Sequence, residues 1–358
     1  MHLLHVVGAR PNFPKLAPVF RAGQKAGITQ TVVHTGQHYD DAMSGEFFRA
    51  LAIKDPDINL EVGSATHAVQ TARIMERIEP VLDARRPTWV VVYGDVNSTV
   101  AAALVAAKKG LLVAHVEAGL RSGDWTMPEE VNRVVTDRLA DLLLTPSRDG
   151  DEALKREGVP HDRIVFVGNV MIDSLLHALP SAKGTGARAR LSGGAEYVLV
   201  TLHRPSNVDD GPRLRRIADS LRVLAKTRRV LFPMHPRTAA RAAELDISFD
   251  DVTTVAPLAY LEMVDMLQGA AAVVTDSGGV QEETTALGVR CFTLRPNTER
   301  PITIQEGTNV LVPEPEDLPV AVAAPLGRKA SVPEGWDGHA ADRVLAALAS
   351  HAKRIGRD

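Results

Sequence analysis

Short runs of consecutive apolar residues alternate along the chain with longer stretches in which apolar positions recur every three or four residues. The runs predict buried strands at residues 3–7, 31–35, 89–93, 112–116, 142–145 and 164–167. A second series is predicted at 197–202, 230–234, 252–255, 271–275 and 291–294. The periodic stretches predict amphipathic helices at 69–82, 98–108, 131–140, 213–225 and 260–268, and a last helix at about 342–354. Strands apolar at every position are buried on both faces, as in parallel sheets covered by helices. Two such series therefore predict an α/β protein of two doubly wound domains with a cleft between them. The break is expected near 168–179, and the Gly-rich stretch from Lys183 to Gly194 reads as the lead-in to the second domain. The last helix follows a Pro- and Gly-rich loop and fits either domain.

The length of 358 residues suits two domains of ordinary size. A net charge of −3 gives no basis for a nucleic-acid or anionic-membrane partner, so any basic site is local. Apolar runs stay well short of the roughly 18 residues a membrane span needs. Met1 to Gly8 reads as a first buried strand and not as a signal peptide. Cys291, the single cysteine, excludes an internal disulfide and fits a reducing compartment. A soluble cytoplasmic protein is the expectation.

In doubly wound sheets ligands bind beyond the carboxyl ends of strands, so polar residues just after a strand are the candidates. The most telling is the stretch Val273 to Glu283, where an apolar run breaks at Asp276 and Ser277, Gly278 and Gly279 lead into a helical pattern. Glycines that let the backbone approach a ligand, and N–H groups opening a helix, make a phosphate cradle. The bland alternative is an ordinary strand-to-helix turn with acids placed to suit the helix dipole. The two carboxylates, Glu282 and Glu283, suggest that a hydroxyl-bearing group such as a ribose is held as well. Arg10 and Lys15 leave the first strand, and Arg300 follows the last; guanidinium and ammonium groups suit phosphate. Asp95 and Glu117 close two apolar strands, and Glu130 follows Pro128 in a helix opening, with Asn97 or Ser98 as a helix cap. Carboxylates gathered in a partly dry cleft raise each other's pKa and suit proton transfer. His203 and His235 end two strands beside Arg204 and Arg237, which points to an anion site. No dinucleotide fingerprint or metal-ligand spacing stands out. The residues alone describe an enzyme that holds a phosphorylated, nucleotide-linked substrate and moves protons on it.

Taken in order, these segments resemble the non-hydrolysing UDP-N-acetylglucosamine 2-epimerase family. The matching stretches are Gly8-Ala9-Arg10-Pro11-Asn12, Thr35-Gly36-Gln37-His38-Tyr39-Asp40, Gly94 to Thr99, His115 to Arg121, Pro128 to Arg133, Gly168-Asn169, His203-Arg204, Thr275 to Glu283, and Thr298 to Pro301. The resemblance implies two Rossmann-like domains in a glycosyltransferase-B-like fold, residues 1–168 with a returning C-terminal helix at about 338–358, and residues 169–337 as the UDP-binding domain. It implies reversible inversion at C2 between UDP-N-acetylglucosamine and UDP-N-acetylmannosamine, by loss of UDP to a 2-acetamidoglucal and its re-addition. No cofactor or metal is implied, and a homodimer through the first domain is. Asp95, Glu117 and Glu130 match the family's catalytic acids, and His203 its histidine near the diphosphate. Arg10, Lys15, Ser277, Gly278, Gly279 and Arg300 match groups around UDP. Glu283 matches the ribose holder, which leaves Glu282 as an ordinary first-turn helix acid, and the uracil is expected against Leu258 to Met263.

Ser206 stands where the family commonly has glutamate, Pro14 where it has an aliphatic residue, and Asp41 follows a variant Gln37-His38 segment related to a regulatory site. Alternatives are a 2-epimerase for a UDP-diacetamido-uronic acid, with Arg121 or Arg204 meeting the uronate, and a hydrolysing epimerase. From other classes come a glycosyltransferase of the same fold and a silent UDP-sugar-binding protein.

Overall fold

The computed structural model describes residues 1–36, 51 and 53–357. Two compact units divide the chain: Met1–His177 with Glu334–Asp358, and Ala178–Pro333. The first holds a sheet of β1 (His2–Val7), β2 (Thr29–His34), β3 (Ile58–Asn59), β4 (Trp89–Tyr93), β5 (Leu112–Val116), β6 (Leu142–Thr145) and β7 (Ile164–Phe166). Its order is β3-β2-β1-β4-β5-β6-β7, and every pair is parallel. The second holds β8 (Tyr197–Thr201), β9 (Arg229–Pro233), β10 (Thr253–Val255), β11 (Ala272–Thr275), β12 (Arg290–Thr293) and β13 (Asn309–Leu311). Their order is β10-β9-β8-β11-β12-β13, again parallel throughout.

The strand runs are continuous because each sheet is covered on both faces. Val198 and Val200 of β8 enter one core with Val230, Phe232 and Val274, while Leu199 enters another with Leu231 and Val273. A Val or Leu side chain removed from water in this way contributes about 1.5–3 kcal/mol. In the first unit the helix Asn97–Lys108 lies over the sheet through Ala101, Ala102, Ala103 and Ala106, whose small side chains allow close approach. The helices His67–Arg85 and Pro128–Leu139 pack on either side of it.

Sequence order turns back between β1 and β4 in the first sheet, and between β8 and β11 in the second. At such switch points the outgoing loops diverge and leave a crevice beyond the strand tips. The residues following β1, β4, β8 and β11 are thereby the ones each fold presents to a ligand.

Some elements differ from the sequence expectation. Lys15 lies in a helix, Phe13–Lys25, and not in the loop after β1. Proline hides this helix: Pro14 sits in the first turn, where no backbone donor is missed, and Pro18 lies within it. A helix, Val170–Lys183, occupies the expected break, and Asp173 in its first turn accepts from Ala340 N (3.2 Å) and Ala341 N (2.8 Å). That carboxylate caps the last helix, Ala340–Arg354, within the first unit. Trp336 Nε1 adds a bond to Pro146 O at 3.0 Å. Among the described residues no helix is long and apolar enough to cross a membrane.

Candidate active site

The tips of β1, β4 and β5 gather the first group of polar side chains. Gly8 turns the chain after β1: a Cβ there would meet Ser98 Oγ at 2.0 Å and Thr35 Oγ1 at 2.4 Å. Asn12 Oδ1 accepts from Gly8 N and Ala9 N, both at 3.1 Å, and its Nδ2 donates to Tyr93 O at 2.9 Å. The loop carrying half-buried Arg10 is thus stitched to the end of β4. From the next helix, buried Lys15 forms an ion pair with buried Glu117. Glu117 adopts φ 72, a left-handed conformation that costs a non-glycine residue about 1–2 kcal/mol. Its N–H and that of Ala118 both donate to Leu144 O, at 3.0 and 3.1 Å, which fixes the turn.

Gly94 sits against this pair, since a Cβ there would lie 2.7 Å from Lys15 Nζ and 3.0 Å from Glu117 Oε2. The next residue, Asp95, is ion-paired with Arg133. Arg133, itself buried, also holds Glu130 through Nη2–Oε2 at 2.6 Å. Glu130 accepts further from Ser122 N (3.0 Å) and Gly123 N (2.9 Å). Burial pushes the Glu130 carboxyl up, but Arg133 and these N–H groups outweigh it and hold the pKa below the ordinary value. The expectation that clustered acids raise one another therefore fails at Glu130, because an arginine stands between the carboxylates. The expected cap is also displaced: Val96 is the cap residue, and Asn97 is buried with its Nδ2 donating to Gln70 Oε1 at 2.7 Å.

The second group lies beyond β8 and β11. Asp276, wholly buried, follows β11, and half-buried Ser277 is the cap residue of the helix Gly278–Leu287. A Cβ on Gly278 would reach Glu299 Oε1 at 2.8 Å and Arg300 Nη1 at 2.9 Å, while Gly279 is half-buried. Arg300 Nε lies 3.0 Å from Glu282 Oε2, and its Nη1 lies 2.9 Å from Glu299 Oε1. Glu299 also meets Arg204 at 3.1 Å and Arg295 at 2.7 Å. Burial raises the Glu299 carboxyl, yet Arg300, Arg295 and Arg204 hold it far below its ordinary range. Glu282 is therefore a buried ion-pair partner of Arg300 and not the ordinary first-turn acid expected from sequence.

Glu283 is also buried, and burial together with the charge of Glu282 pushes its pKa up to about 8. It keeps its proton at neutral pH and can donate as well as accept a hydrogen bond. His203 is exposed, with its ring centroid 6.1 Å from that of His235. His235 Nδ1 accepts from Arg237 N at 3.2 Å and caps its own helix, while Arg237 turns to Asp209. Leu258 and Met263 are half-buried and pack on the core around Leu267. Gln37, His38, Tyr39, Asp40 and Asp41 lie outside the described residues. Among the described residues no group of three or more His, Cys, Asp or Glu is arranged to hold a metal ion.

The sequence profile described as UDP-N-acetylglucosamine 2-epimerase matches residues 21–349. The chain belongs to the UDP-N-acetylglucosamine 2-epimerase family. It is 40% identical over 361 residues to a UDP-N-acetylglucosamine 2-epimerase of Methanocaldococcus jannaschii, covering 97% of this chain and 99% of that protein. It is 39% identical over 356 residues to a UDP-2,3-diacetamido-2,3-dideoxy-D-glucuronate 2-epimerase of Pseudomonas aeruginosa, covering 98% and 99%. A crystal structure of the Methanocaldococcus jannaschii enzyme with UDP-GlcNAc and UDP superposes with a TM-score of 0.91 at 40% identity, covering 98% of this chain and 100% of that one.

In this member of the epimerase family the strand-end rule missed three side chains: Arg133, His115 and Asp137. His115 Nδ1 lies 2.6 Å from Asp137 Oδ1, and His115 Nε2 lies 2.8 Å from Gly94 O. Asp137 Oδ2 takes Arg121 Nη1 at 2.8 Å and Gly119 N at 3.2 Å. Burial raises the Asp137 carboxyl, but His115 and Arg121 hold it below its ordinary range. The available signals were a histidine inside an otherwise apolar strand run and an aspartate at a helix position turned inward.

Proposed function

We propose that the chain interconverts UDP-N-acetylglucosamine and UDP-N-acetylmannosamine. In this reading the C2 proton is removed, UDP leaves to give a 2-acetamidoglucal, and UDP returns as C2 is reprotonated on the other face. The observation that carries the reading is the set Asp95, Glu117 and Glu130, brought to neighbouring strand tips and a helix start by the first fold and held by Lys15 and Arg133. Two faces of one carbon need two proton carriers, and an isomerase of this family has three carboxylates to draw on. The two units serve as functional domains; in the first, Arg10 supplies a cationic contact, while Lys15 is held by Glu117. In the second unit Ser277, Gly278 and Gly279 receive the diphosphate at a helix start, with Arg300 as its cation and His203 beside it, and Glu283 holds ribose hydroxyls. Leu258 and Met263 form the apolar flank for the uracil. Following UDP-N-acetylglucosamine by proton NMR tests this: the manno isomer appears to a steady ratio. Release of free sugar with UDP, or no new anomeric signal, contradicts it.

A second reading keeps the chemistry and changes the sugar to a UDP-2,3-diacetamido-uronic acid, supported by the similarity to the Pseudomonas aeruginosa enzyme. Both candidate cations for the uronate carry ion pairs, Arg121 with Asp137 and Glu157 and Arg204 with Glu299. The ratio of kcat/KM on the two sugars separates the readings.

We also propose a homodimer formed through the first unit. Its support is a set of exposed apolar side chains: Val69 on the helix His67–Arg85, Val131 and Val135 one turn apart on Pro128–Leu139, and Trp125, 65% exposed.

A further inference from the structure

Asp276 has no part in the chemistry above, yet it is the most completely enclosed carboxylate at the tips of β8 and β11. An ionised carboxylate is costly to bury unless donors fill its lone pairs. Here the donors all come from the segment after β8. His203 N donates to Oδ1 at 3.2 Å and Oδ2 at 3.1 Å; Arg204 N donates to Oδ2 at 2.9 Å and Asn207 Nδ2 to Oδ2 at 3.2 Å. The His203 ring closes the set, with Nδ1 at 3.3 Å from Oδ1. Burial pushes the Asp276 carboxyl up, but His203, Arg204 and Asn207 outweigh it and keep it below its ordinary range. An ionised carboxylate only accepts hydrogen bonds, so the ring nitrogen facing it carries the proton. Nε2 is then the nitrogen left for a ligand.

We propose that Asp276 is a positioning residue for His203: it fixes the Nδ1–H tautomer and the ring direction so that Nε2 meets the leaving diphosphate. A proton carried at Nε2 then makes that nitrogen a donor to a phosphate oxygen. Carboxylates that orient histidine in this way set both tautomer and basicity. The inference rests on the assignment of His203 to the diphosphate, and it adds a residue just ahead of the Ser277-Gly278-Gly279 turn.

The test uses the full chain labelled with nitrogen-15 at histidine, and His203→Ala identifies the signal among the 12 histidines. Long-range nitrogen–proton NMR is expected to show His203 protonated at Nδ1 and bare at Nε2 in its neutral form. Asp276→Asn is expected to mix or reverse that tautomer. It is expected to lower kcat by about 100-fold or more with KM nearly unchanged, as loss of an orienting carboxylate does elsewhere. In a His203→Ala background the same change is expected to lower kcat by less than about three-fold, because the two groups act as one unit. A wild-type ring protonated at Nε2, or an equal loss from Asp276→Asn without His203, overturns the proposal. If Asp276→Asn does not fold, as read by circular dichroism, the wild-type tautomer decides alone. Absence of epimerisation by the wild-type protein sinks the proposed function and leaves the tautomer result standing.

Discussion

Lys15 and Glu117 face each other with side chains 5% and 4% exposed, so neither charge has water to fall back on. Removing one partner of such a pair costs about 3–5 kcal/mol, because the other is left buried and uncompensated. Glu117→Gln is expected to lower the melting temperature markedly and to abolish exchange at C2. The double change Lys15→Met with Glu117→Gln is expected to recover most of the stability and none of the activity; a melting series with an exchange assay checks both. Glu283 makes a different prediction. Its folded pKa of about 8 stands above the ordinary 4.5, so the unfolded chain ionises first as pH rises. Its part in stability is full below 4.5 and is lost as pH rises toward 8. Glu283→Gln is expected to flatten that stretch of the melting-temperature profile; an unchanged slope contradicts it. Asp95, Glu117 and the Gly-Gly turn were legible in the sequence because each follows a strand, and Glu130 because it follows Pro128 in a helix opening. Their partners were not: Arg133 and Asp137 lie in a helix whose pattern reads as surface, and only the fold turns them toward Asp95 and His115.

At the scale of elements, the helix Gly278–Leu287 starts where an added methyl group meets the tips of the Glu299 and Arg300 side chains. Gly278→Ala would press on Glu299 and Arg300, and the expected result is weakened UDP binding by about ten-fold or more, read by calorimetry, since about 1.4 kcal/mol suffices for that. The β5 tip is set by the His115–Asp137–Arg121 chain. Asp137→Asn removes the carboxylate that holds both Arg121 and the His115 ring, so kcat is expected to fall with little change in KM for the nucleotide sugar; a purely raised KM contradicts this. Most strands stood out in the sequence as continuous apolar runs. β3 and β13, with two and three residues, are too short to show a period, and the helix Phe13–Lys25 was masked by its prolines.

For the molecule as a whole, the exposed Val131 and Val135 predict association through the first unit. Light scattering on Val131→Glu with Val135→Glu is expected to show a monomer where the unaltered chain is a dimer; a wild-type monomer contradicts the proposal. Each of the two parallel sheets has its own switch point: the first carries Asp95, Glu117 and Glu130 with Lys15 and Arg133, and the second carries Arg300, His203 and a helix start. The central claim is that those carboxylates take a proton from C2 and return one from solvent. Incubation of the full chain with UDP-N-acetylglucosamine in deuterated water measures it directly. The account predicts deuterium at C2 in both the gluco and the manno sugar nucleotide, with UDP and free sugar not accumulating. A manno product that keeps its original C2 hydrogen, or no exchange and no product, would contradict it.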